Sequence, residues 1–86
     1  MLRQILVTDR CHRMPFAPDV LVWLGRGAPP GHLGGRTLLV APSSVRAAAV
    51  YLATAGPTEL RLDLADPMGF LDELVRVNSE PAVRAA

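Results

Sequence analysis

The chain has no lysine: all nine of its basic residues are arginine, set against eight acidic ones for a net charge of +1. A balance that close to neutral leaves no overall field to hold a polyanion, so nucleic acid is not the favoured partner, although arginine does suit bidentate phosphate contacts. With abundant alanine, glycine and proline, the missing lysine reads as bacterial-like GC-rich coding. Cysteine occurs once, at Cys11, which rules out an intramolecular disulfide. No uncharged stretch approaches the roughly 18 apolar residues that span a bilayer, and the first residues offer only Ile5-Leu6-Val7, short of a signal-peptide core. These absences predict a soluble, cytoplasmic protein with no membrane partner. Internal repeats are also missing.

What the chain does have is apolar residues in excess of its size. Half of its 86 residues are hydrophobic and the mean hydropathy is +0.26. A body this small buries only about 60% of the surface its unfolded chain exposes. The surplus is most cheaply hidden in a subunit interface or against a larger partner, so a homo-oligomer or a component of a protein complex is expected.

The fold is read outward from residues 37–66. Thr37-Leu38-Leu39-Val40 is a short branched run that ends at Ala41-Pro42, where proline stops strand pairing. Ser43 or Ser44 can cap a helix start, a contribution of about 1 kcal/mol. Val45, Ala48, Ala49, Leu52 and Ala53 then follow the spacing of one helical face, and Gly56-Pro57 ends it. Leu60, Leu62 and Leu64 alternate with Arg61, Asp63 and Ala65, as in a strand with one face on a core. Strand, helix, strand predicts a right-handed parallel crossover, with helices on one face of the sheet.

Elsewhere, residues 2–8 read as a first strand, and residues 9–18 as a loop that Met14 and Phe16 pin to the core. Val20-Leu21-Val22-Trp23-Leu24 is apolar on both faces and should be central, one face meeting the Pro-rich loop or a second subunit. Residues 25–36 form a Gly/Pro-rich connection. Asp66-Pro67 opens a last helix whose buried stripe is predicted as Phe70, Leu71, Leu74, Val75 and Val77. The expected architecture is a two-layer α/β domain over residues 1–80, with a four-stranded mixed sheet and two helices in the order β-β-β-α-β-α, followed by a frayed tail, 81–86. The competing architecture is a pleckstrin-homology-like barrel in which residues 49–55 form a strand and only the C-terminal segment is helical.

Few residues offer chemistry. Asp9, Cys11, His12 and His32 lack the spacing of a zinc site, and Cys11 beside His12 lacks any nucleophile signature. Glycines in residues 25–36 match neither phosphate-loop pattern. Asp63/Asp66 and Asp72/Glu73 read as a strand end and a solvated helix face. No catalytic residue, metal ligand or cofactor is therefore assigned. Ser43, Ser44 and Arg46, at a helix start, form a weak anion-binding candidate. Trp23, Met14 and Phe16 are the candidate interface anchors. The leading functional expectation is a non-catalytic interaction or regulatory module acting by self-association or docking on a protein. Two others stand beside it: an arginine-using binder of nucleic acid or a phosphorylated ligand, through Arg10, Arg13, Arg26, Arg36 and Arg46, and a small Cys-dependent enzyme.

Overall fold

The computed structural model describes residues 2–10, 17–29 and 36–80. Along them run β1 (Arg3–Thr8), β2 (Val20–Trp23), β3 (Leu38–Val40), α1 (Val45–Thr54), β4 (Thr58–Asp63) and α2 (Pro67–Asn78). The element order and the two-layer architecture match the sequence reading. The sheet does not. It is parallel throughout rather than mixed, in the order β3-β2-β1-β4. Alternation within a strand reports which side chains share a face but is the same for either chain direction, which is why the mixed sheet was expected.

The helical reading of the segment after Pro42 holds, and the barrel with a strand there is excluded. Ser44 sits in extended conformation and its Oγ accepts from the Ala47 N–H at 3.0 Å, meeting one of the donors a helix start leaves free. At the other end Gly56 takes φ +82°, the left-handed conformation that costs residues with a Cβ. In α2, Asp66 Oδ1 accepts from the Gly69 N–H at 3.0 Å and Pro67 fills the first turn, where its missing N–H costs nothing.

Both helices pack on one face of the sheet. Ile5 and Val7 of β1 and Val20 and Val22 of β2 meet Ala48 and Leu52 of α1 and Phe70 of α2 in a single cluster. Val40, Leu60 and Leu62 extend that layer toward the two edges. The helical stripes differ from prediction in one respect each. Val45, the first residue of α1, is half exposed, and Val75 is 65% exposed. Val75 lies about 100° around the helix from Leu74, so when Phe70, Leu74 and Val77 face inward it points to water.

The opposite face is also dry at its centre. Leu6, Leu21, Trp23 and Thr8 are buried there. The stretch that follows β2 folds back over the indole: Trp23 Nε1 donates to the Gly27 carbonyl at 3.4 Å, and a Cβ at Gly25 would collide with the ring and stand 2.9 Å from the Asp9 carbonyl. The two-sided apolar strand is thus covered by helices on one side and, at Trp23, by its own loop on the other. Thr8, the buried polar residue of that face, accepts from the Arg10 N–H at 3.1 Å and stands 3.3 Å from Asp63 Oδ2. Among the described residues, no helix is long and apolar enough to cross a membrane.

Candidate functional site

Because every strand points the same way, all the strand-to-helix turns emerge along one edge of the sheet. Two adjoining clefts lie along that carboxyl edge. One, of about 360 Å³, runs between the ends of β1 and β4 and is lined by Asp9, Leu24, Val45, Leu64, Asp66 and Phe70 among others. A second, of about 380 Å³, lies toward β3 between the Trp23–Gly27 loop and the start of α1, where Ser43 and Ser44 line it. Leu24 and Val45 border both.

Asp9 ties the mouth of the first cleft together. Its N–H donates to the Asp63 carbonyl at 3.4 Å, and its Oδ2 accepts from the Ala65 N–H at 3.2 Å, so one residue after β1 holds the exit of β4. Its Oδ1 is shut away from water without a hydrogen bond. Among the described residues, the Arg10 Nε stands 3.9 Å from it on a largely exposed side chain.

Of the candidate anion site, the structure brings Ser43 and Ser44 together and turns Arg46 elsewhere. Ser44 Oγ is engaged in capping α1. The Arg46 guanidinium makes a forked contact with Glu80, Nη1 to Oε1 at 2.8 Å and Nη2 to Oε2 at 2.6 Å, with Glu73 at 3.7 Å on its other side. That fork ties the end of α2 to the start of α1. Its hydrogen bonds hold the Glu80 carboxyl below the usual glutamate range, and the same bond raises the Arg46 pKa. A depressed folded-state pKa contributes stability above the unfolded-state value and loses it as pH falls through the folded one. Glu80→Gln is therefore expected to lower stability slightly near neutrality, and to match the wild type only at a pH acid enough to lie below the lowered folded-state value. Paired urea melts at the two pH values measure it, and a gap that persists in acid would show that packing, not the ion pair, is at stake. Because both side chains are partly exposed, added salt should narrow the gap as well.

Of the interface candidates, Trp23 is 5% exposed within the single chain. Met14 and Phe16 lie outside the described residues, as do Cys11, His12, Arg13 and His32. Among the described residues no three histidine, cysteine or acidic side chains converge as a metal would require. The sequence reading missed the edge of β3. Leu38 is 53% exposed and Leu39 37%, although their ladder partners Val20 and Leu21 are fully buried. Nothing in the residues themselves marks them as an edge. No family model, curated protein or solved structure matches the chain.

Proposed function

We propose that the protein is a non-catalytic interaction module that self-associates through the open edge of β3. The observation that supports this reading is the contrast between the two edges of the sheet. β4 carries Glu59, Arg61 and Asp63 on the face away from the helices, charges of the kind that blunt an edge against pairing. β3, with Leu38, Leu39 and Val40, carries none. Leu38 shares the helix side with Val20 and Leu39 the opposite side with Leu21, so the apolar rows of the core run to this edge and stop in solvent.

A second copy meets that edge by a two-fold axis, β3 against β3, which joins two four-stranded sheets and covers the leucines on both faces. Near-zero net charge sets little repulsion against such a contact. A three-residue strand alone buries less than the roughly 1,200 Å² of a standard stable interface, so the association is expected to depend on concentration. Light scattering behind size-exclusion chromatography, run from micromolar to near-millimolar protein, should show mass rising with concentration, and Leu39→Arg should hold the chain as a monomer throughout. A wild type that stays monomeric over the whole range would remove self-association, leaving docking on a different protein as the form of the proposal to pursue. Ion pairs to Arg46, Arg10 and Arg76 reduce the positive surface available to the arginine-based alternative.

A further inference from the structure

A helix lying on one face of a sheet turns apolar residues toward the sheet and charged ones toward water. α2 follows that pattern: with Phe70 and Val77 buried, Asp72 and Arg76 stand in solvent beside Met68 and Val75. α1 does not. Only Ala48, Ala49 and Leu52 of its ten residues are buried, yet Arg46 is the one charged residue it contains. That charge is engaged within the chain, by Glu73 of α2 and Glu80 just beyond it. Thr54 also turns its hydroxyl onto its own helix, donating to the Val50 and Tyr51 carbonyls at 3.1 Å. A helix apolar all round belongs under cover, and the outer side of α1 has none within the single chain.

This surface adjoins the open edge of β3. β3 and β4 form the two margins of the sheet; α1 follows β3 through residues 41–44, and α2 follows β4 through residues 64–66. Around α1, Arg46 marks the flank that meets α2. Ala47 lies about 100° and Tyr51 about 140° from it in the same sense, so both fall on the flank turned away from α2 and toward the β3 margin. Tyr51 is half-buried there against the core cluster that Val40 also joins. Leu38 and Val40 are the helix-side residues of β3, so strand edge and helix flank make one uncharged surface.

We infer that α1 is the second tier of the self-association: in a pair of chains joined β3 to β3, Ala47 and Tyr51 of each copy pack against those of the other across the same two-fold axis. The inference rests on the β3 reading above and supplies what a three-residue strand lacks, namely apolar area. An axis normal to the sheet makes the two β3 strands antiparallel and keeps both helix layers on one side, where the α1 flanks face each other. Their composition suits such a contact, with a tyrosine as anchor, small neighbours around it and no charge to desolvate.

The test is sedimentation equilibrium of the full chain beside Ala47→Glu and Leu39→Arg, with circular dichroism to show that each variant is folded. Ala47 stands three residues after the Ser44 cap, where a glutamate suits a helix start, so Ala47→Glu is expected to fold. It sets two carboxylates against each other across the axis and should weaken association by about tenfold or more, while Leu39→Arg should abolish it. A second measurement needs no substitution: on dilution of the wild type, the NMR amide signals of Ala47 and Tyr51 should shift together with those of Leu38, Leu39 and Val40, and those of Asp72 and Arg76 should stay in place. Association that Leu39→Arg abolishes but folded Ala47→Glu leaves unchanged, or shifts confined to β3, would overturn the α1 tier and keep the β3 reading. Shifts at Asp72 and Arg76 as large as those at Ala47 would overturn the tier as well. Association lost in Ala47→Glu but kept in Leu39→Arg would overturn the β3 reading and with it the joined surface, and a wild type monomeric at every concentration would remove both.

Discussion

Trp23→Ala should lower the stability of the protein by about 3–5 kcal/mol, the range for truncating a buried large aromatic residue. A domain of this size has only about 5–10 kcal/mol in total, so the variant is expected to be largely unfolded at moderate temperature. The indole is nearly inaccessible within one chain, and its ring fits where Gly25 has no side chain to oppose it. The loss should therefore be the same at low and high protein concentration. Urea melts followed by circular dichroism at two concentrations, far apart, make the measurement. A loss that grew with concentration would mean that the ring's covering comes from a second subunit. Trp23→Phe, which keeps a ring but gives up the Nε1–Gly27 bond and part of the indole's packing beside Gly25, should recover part of the stability.

Phe70→Ala should be comparably costly, about 3–5 kcal/mol, for a different reason. Phe70 is the buried residue of α2 that belongs to the cluster shared by β1, β2 and α1, so it joins that helix directly to the centre of the core. Removing it leaves Val77 and the half-buried Leu74 to hold the helix. The expected signature is loss of α2 ahead of the rest: amides of residues 70–78 should exchange with solvent faster than those of β1 and β2. Uniform acceleration of all amides would instead mean that α2 and the sheet unfold as one unit. Phe70 also forms a wall of the carboxyl-edge cleft, so Phe70→Leu, expected to cost under about 1.5 kcal/mol, is the variant that separates stability from the shape of that cleft.

Asp9 shows how a site can be invisible before folding. In the sequence it is one acidic residue entering a loop, worth weighing only alongside Cys11, His12 and His32 as a possible ligand. Its importance comes from Ala65 and Asp63, more than fifty positions away, which arrive beside it because β4 pairs with β1. Arg46 went the other way. A cation at a helix start suggested an open fork for an anion, and Glu80, 34 residues later, takes that fork when α2 packs on α1.

The residues alone determined the parts that form within a turn or two of chain. Ser44 and Gly56 bound α1, Asp66 and Pro67 begin α2, and alternating leucines mark β4, because caps, left-handed glycines and side-chain periodicity act over three to eight neighbours. Tertiary structure decided the direction of the strands, their order, and hence which apolar residues lie at an open edge and which acidic one lies in a cleft. A leucine in β3 and a leucine in β2 have the same local preference. Only the path of the connections, which sends one strand to the middle of the sheet and the other to its margin, makes Leu21 core and Leu39 surface.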